Sequence, residues 1–419
     1  NASGTYTFPL VYGNGIKNGA PNAPAYTSTK SGTNILPGFL NHLGNEIDDP
    51  YIYNNAGCTP YDACLVWQDT EGLVQNVALT SDKQNISFSV PLSTIRQGNA
   101  IVAVRDSAGT IMWSWHIWVT DYRLGSDLKA VTNFQSVRYY FMPVNLGWCE
   151  GKTTDYEGRS ALVKLTQAGT GQTSIFKLDQ PAQTVVGFGN NPYYQWGRKD
   201  PMLPGVYNAG MSVVNKDCYT DSDKPEYAYD AKALNTSVIY EYIRNPHCSN
   251  KNSNMDGRYY NLWSAENATT TINDDPVIKT VYDPSPVGYC VPPSGAFTGF
   301  LYNGTGVTNN GGIGYGSQIN SPCQSSAEYS AGRGIYFYCN KMNGEGVFDP
   351  NGGTIFFPAA GIRMSGGNVS MYGLYGRYWT ALPVGVNLGR CMSITSGKMS
   401  MIDNMYRPEG ESIRPILEQ

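Results

Sequence analysis

The side chains best suited to chemistry are few or scattered in this chain. Its three histidines, His42, His116 and His247, are spread far apart. That spread matches no zinc-ligand spacing. His116 lies in the string Trp113-Ser114-Trp115-His116-Ile117-Trp118, where a hydrogen-bonded imidazole within a strand is expected before a base or a ligand. Nine cysteines occur, Cys58, Cys64, Cys149, Cys218, Cys248, Cys290, Cys323, Cys339 and Cys391. None has the CxxC spacing of a zinc ribbon or a thioredoxin-like site. Cys58 and Cys64 are near enough to close a small loop, and an odd count leaves a thiol over if the others bridge. Buried thiols and disulfides are both open readings. The acidic groups Glu46, Asp48 and Asp49, Asp221 and Asp223, and Asp274 and Asp275 read as solvated loop acids. A glycosidase pair would depend on a spacing in three dimensions. Asn252-x-Asn254-x-Asp256-Gly257 opens like a calcium loop, but Trp263 stands where the closing Glu belongs. Asp349-Pro350-Asn351-Gly352-Gly353 reads as a turn. No Gly-x-Ser-x-Gly elbow beside a strand and no phosphate loop is found. The expectation is a protein that is not an enzyme and uses no cofactor or metal.

Composition says what must position these groups. Charged residues are 15% of the chain and aromatics 12%, with 31 Tyr, 8 Trp and 47 Gly. Tyr, Trp and Gly favour strands, turns and contact surfaces over helices. A net charge of -4 gives no reason to expect nucleic acid or an anionic membrane as partner. No apolar run is long enough for a membrane span. The chain opens on Asn1 without Met, as a trimmed or processed chain would.

Length and pattern predict two domains. Residues 1–124 read as all-β: 84–92 alternates polar and apolar, 99–106 is a β-branched run, and 111–120 is a further strand. The turn Asp106-Ser107-Ala108-Gly109 joins the last two into a hairpin, and short, regular strands suggest a sandwich. A boundary is expected near 121–127. Beyond it, strands at 137–141 and 161–165 sit among long Gly/Asn/Pro/Ser segments. A short helix is expected within 230–242, with Leu234, Val238, Ile239 and Tyr242 on one face. The 299–333 segment is too long for an ordinary connection, and such loops usually carry function.

Several motifs point to a family. Tyr6-Thr7-Phe8-Pro9-Leu10-Val11-Tyr12-Gly13-Asn14, then Gly98-Asn99-Ala100-Ile101-Val102-Ala103-Val104, then Trp113-Ser114-Trp115-His116-Ile117-Trp118-Val119-Thr120 resemble the β-sandwich module of Bacteroidetes fimbrillin-like surface proteins, fimbrial tip subunits included. The Cys-containing strand that precedes Tyr-x-Phe-Pro in that family is missing here, so the resemblance implies a module that lacks its first strand. Phe141-Met142-Pro143-Val144-Asn145-Leu146-Gly147, Tyr193-Tyr194-Gln195-Trp196-Gly197-Arg198-Lys199-Asp200-Pro201, Asn261-Leu262-Trp263, Tyr282-Asp283-Pro284-Ser285-Pro286-Val287-Gly288-Tyr289-Cys290, Phe357-Pro358-Ala359-Ala360-Gly361-Ile362-Arg363, Gly376-Arg377-Tyr378-Trp379 and Gly410-Glu411-Ser412-Ile413-Arg414-Pro415 follow in order. This series resembles the C-type-lectin-like fold of the Fibrobacter-type major paralogous domain, related in shape to formylglycine-generating enzymes. Those enzymes carry Cys where Pro415 stands, and Cys391 is alone nearby, which argues against their oxidation chemistry.

The resemblance implies a mainly β protein with an α+β part: a β-sandwich over 1–124, then a large C-type-lectin-like domain with long loops over 125–419. It implies a non-enzymatic adhesion or binding protein at the outer cell surface, a fimbrial (pilus) tip or accessory subunit, with fimbrial subunits and a host glycan or protein as partners. An outer-surface glycan-binding protein and an enzyme on the same fold are the alternatives. Ligand contact is expected at Tyr302, Asn303, Tyr315, Gln318, Asn320 and Trp379. Tyr offers a large amphipathic face, and Asn and Gln offer adaptable hydrogen bonding. Trp196, Trp263 and Trp379 are expected foremost to supply packing faces.

Overall fold

The run Ala100-Ile101-Val102-Ala103-Val104 is apolar at every position, and it becomes the centre of a sheet covered on both faces. The structure is a computed structural model that describes all residues except 1, 209–210, 222–233, 235, 253–259, 305–311, 316–317 and 341–351. The fold is mainly β, with the short α-helices Ile239–Arg244 and Ser326–Gly332 among the described residues. Strand Gly98–Arg105 pairs antiparallel with Asp62–Gln68 on one side and Ile111–Val119 on the other. The turn between the last two is the one expected: Asp106 Oδ1 accepts from the backbone N–H of Ala108 and Thr110 at 2.9 and 2.8 Å. Gly109 there takes φ +81°, a conformation that suits glycine.

A second three-stranded antiparallel sheet has the order Gly4–Pro9, Asn85–Val90, Gln75–Leu79. Its Ile86, Phe88 and Val90 share one core with Ala100, Val102 and Val104. The other face of the central strand, Ile101 and Ala103, packs with Trp67 and Leu203. Each such buried Val or Ile stabilises the fold by about 1.5–3 kcal/mol. Residues far along the chain complete the first core: Ile239, Tyr242, Leu262 and Tyr282 belong to it. A separate core gathers Trp196, Trp263, Trp379, Phe297, Phe300, Phe337 and Phe357. It lies under the antiparallel sheet Tyr375–Val384, Leu388–Thr395, Met399–Tyr406.

Two compact units result. The first joins Asn1–Trp148 with Asn191–Gln419, and the second is Cys149–Asn190. The expected boundary near 121–127 therefore falls inside the first unit. Within the second unit, Thr153–Tyr156 pairs with Gln183–Val186, and Arg159–Thr166 with Thr173–Gln180. Both longer strands are exposed along nearly their whole length. The expected helix near 230–242 forms at Ile239–Arg244, while 230–233 and 235 lie outside the described residues.

Candidate functional site

In the first unit, strand Ile111–Val119 lies at the edge of its sheet and forms one wall of a cleft of about 460 Å³. That volume is within the range of small-molecule sites, about 300–1,000 Å³. The opposite wall is built from Gly13, Asn14 and the 279–287 segment. Gly13 must be glycine, because a Cβ there would meet the Val281 carbonyl oxygen at 2.3 Å. Two contacts hold the loop's shape. Lys279 is buried, and its ammonium donates to the carbonyls of Ser285, Pro286 and Tyr289 at 2.5, 2.7 and 2.6 Å. Asp283 accepts from the N–H groups of Ser285 and Val291 at 2.8 and 2.9 Å. Pro284 and Pro286, whose rings restrict the backbone here, line the cleft with them.

The strand wall is aromatic. Trp115 donates its indole N–H to Val11 O at 3.2 Å, and Trp118 donates to Trp148 O at 3.0 Å. Their polar atoms are thus committed to the framework, and what each half-buried ring adds to the cleft is carbon surface. Tyr122 stacks on Trp118 with centroids 6.1 Å apart. Trp113 lies deeper, fully buried, with Lys199 Nζ 4.5 Å from its ring centre.

His116, between these tryptophans, is a scaffold residue. Asn99 donates from Nδ2 to Asp69 and to Gly147 O, so its Oδ1 is the acceptor facing His116 Nε2 at 3.0 Å. The proton is thereby assigned to Nε2, and Nδ1 accepts from Tyr194 Oη at 3.1 Å. Burial lowers the imidazole pKa to about 3, so it is neutral at pH 7. Lys199, also buried, donates to both carboxylate oxygens of Asp200 and to Ser114. The charged residues of the cleft, Lys199, Lys279 and Asp283, all have their partners inside the protein. The Ser285 side chain is hydrogen-bonded to the Asp283 carboxylate as well, and Asn14 Oδ1 is buried away from the cleft surface.

The residues expected to meet a ligand divide into three groups. Tyr302, Asn303 and Gln318 come together near the surface, with Tyr302 N–H donating to Gln318 O at 3.1 Å. Tyr302 and Gln318 are exposed and Asn303 half-buried. Tyr315 is half-buried; its hydroxyl donates to Thr395 O at 3.0 Å and its ring meets Tyr329 edge-on. Burial raises its pKa. Asn320 and Trp379 are fully buried, which corrects the expectation that they contact a ligand. Asn320 donates to Gly299 O and Asn340 O at 3.0 and 2.6 Å, and Trp379 donates to Tyr194 O at 2.7 Å. Both are committed to partners inside the fold. Residues 305–311 and 316–317 of the expected binding loop lie outside the described residues, as do 253–257 of the calcium-like motif and 349–351 of the Asp349 turn.

Asp274 and Cys391 are tied into the fold. Asp274 accepts from Asn133 and from Tyr139 at 2.6 Å each. Cys391 is fully buried, and burial pushes its thiol pKa well up, the opposite of an activated nucleophile. Sequence reasoning missed the cleft because its walls are distant in the chain. The available signal was three tryptophans within the 113–118 string, which strand alternation divides between two faces, Trp115 packing against one core and Trp118 against the other. No protein-family model, curated protein or solved structure matches the chain.

Proposed function

We propose that this chain is a non-enzymatic binding or adhesion protein of the outer cell surface, a fimbrial tip or accessory subunit, and that the aromatic cleft holds its ligand. In this reading the two sheets that share the core of Phe88 and Val102 form a fimbrillin-like β-sandwich. The later part, with short strands between long irregular segments, is a C-type-lectin-like domain. The motif series from Tyr6 to Pro415 supports that assignment. The observation that carries the functional reading is the cleft itself: carbon surface from Trp115, Trp118 and Tyr122 on one wall, and charges already committed to partners inside the protein. A catalytic site would need a charged or activated group left available.

The test is a binding screen of the full chain on immobilised glycans and host proteins, with and without a calcium chelator. Saturable binding that survives chelation and is lost in Trp118→Ala supports the reading. Binding lost in Tyr302→Ala but kept in Trp118→Ala would move the site to the 299–333 loop. Turnover of a bound glycan or protein would overturn the non-enzymatic assignment.

A further inference from the structure

We infer that two copies of this chain join through the Cys149–Asn190 unit, the outer edge of strand Thr173–Gln180 pairing antiparallel with the same edge of the second copy. One side of that strand pairs with Arg159–Thr166, and no described residue pairs with its other side. Every residue of it is exposed. The turn fixes which way its backbone points. Gln167 N–H donates to Gln172 O at 2.9 Å, so Thr166 and Thr173, next in the ladder, form a non-hydrogen-bonded pair whose own N–H and C=O groups point outward. By alternation the backbone of Ile175, Lys177 and Asp179 also points outward, while that of Ser174, Phe176 and Leu178 is bonded within the ribbon. Such an edge is a template for a further strand.

The side chains choose which strand. Lys177 and Asp179 share a face, Nζ lying 2.7 Å from Oδ1. A two-fold axis at Leu178 sets Lys177 opposite the Asp179 of the second copy, and Asp179 opposite its Lys177. All four backbones face the junction, so this register makes two hydrogen-bonded pairs with opposite charges directly across, which is stabilising. A register that sets Lys177 opposite itself is repulsive, and one that sets it opposite Ile175 leaves both charges unmatched. On the other face, Ala161 and Leu178 join their counterparts in one apolar row across the axis. The far edge closes the assembly. Strand Arg159–Thr166 turns Ser160, Leu162, Lys164 and Thr166 outward, a lysine with no carboxylate to meet it. Two copies thus complete a four-stranded sheet whose outer edges lysine guards.

The experiment is sedimentation equilibrium of the full chain at low salt, over concentrations from about 5 to about 500 µM. The contact is small, so the dimer should be weak, with a Kd of about 100 µM. Lys177→Glu and Asp179→Lys each set like charges across the axis, and each should weaken the dimer about tenfold. Mixed in equal amounts, the two variants should recover dimer to near the native level, because each then meets the opposite charge on the other chain. The pair within one strand stays broken in both, so recovery reads the contact between copies, and it also shows that both variants fold. Leu178→Cys should form a disulfide between copies at that position under mild oxidation, since non-hydrogen-bonded partners bring Cα atoms to about 4.5 Å. A monomer throughout the range overturns the inference. So does a dimer that neither charge variant weakens, a mixture that fails to recover, or a Leu178→Cys chain that does not cross-link there.

Discussion

Strands Gly98–Arg105 and Arg159–Thr166 are each 8 residues long, yet every residue of the first is buried and almost every residue of the second is exposed. The first is apolar from Ala100 to Val104, where sheet neighbours flank it and a core lies on each face, and its buried Asn99 and Arg105 are hydrogen-bonded. The second alternates, Ala161, Val163 and Leu165 sharing a face with Phe176 and Leu178 across the ladder, and no layer within its own unit covers that face. An isolated hairpin is marginal in water. This one leans on cross-strand pairs: Val163 opposite Phe176, Arg159 Nε on Gln180 at 2.9 Å, and Ser160 on Asp179. Such pairs contribute about 0.2–1 kcal/mol each. The lesson is that strand length and β-propensity decide local form, while cover decides where the stability resides.

The contrast can be broken most severely in the covered unit. Arg414 is fully buried and donates to Asn145 Oδ1, Pro143 O and Phe356 O at 2.7, 2.9 and 2.8 Å. Arg414→Ala leaves those acceptors without donors, and a urea melt should register a loss of about 3–5 kcal/mol. Next is Ile101→Ala in the central strand, which should cost about 3 kcal/mol by the same measurement. Were either change neutral, the buried sheets would not hold the stability assigned to them.

Acid provides a smaller and graded effect. The folded pKa of His116, about 3, is below its unfolded value of about 6.5. The unfolded chain therefore binds this proton first. The stabilisation is complete above pH 6.5 and drains away as pH falls toward 3. Between pH 6.5 and 5 the loss is about 2 kcal/mol. It should appear as the difference in pH slope between the native chain and His116→Gln, and parallel slopes would contradict a neutral, buried His116. The smallest effect belongs to the ribbon. Leu162, 75% exposed, changed to Ala should move the unfolding free energy by no more than about 0.5 kcal/mol. Ribbon amides should also exchange with solvent far sooner than those of Gly98–Arg105.

Much of the local structure was legible in the sequence. The turn at Asp106–Gly109 and the runs beside it gave the hairpin of Gly98–Arg105 and Ile111–Val119, and the alternation at 84–92 gave Asn85–Val90. These are patterns in which neighbours in sequence decide the outcome. His116 as a hydrogen-bonded imidazole followed from its strand setting, though its partners Asn99 and Tyr194 did not. What stayed hidden was remote pairing. Ile239, Leu262 and Tyr282 complete a core begun by Leu10 and Val102, and nothing local to either segment announces the other. The same holds for the cleft, where Trp118 and Ser285 meet only in the folded chain. Asn320 and Trp379 were chosen by residue type and segment length, which do not report burial.

The close approach of Gly13 and Asn14 to the 279–281 segment has a kinetic consequence. Asn14 and Lys279, which touch at the cleft, are 265 residues apart. Closing so long a span slows folding. During synthesis the early strands emerge first, with one wall of the cleft exposed and its partner not yet made. The tryptophan face is then a sticky surface awaiting cover, and the cleft comes into being only once the 279–287 segment has been made. The most exposed moment for this protein is thus its own birth, and a holding factor that shields 113–118 would matter most in that interval.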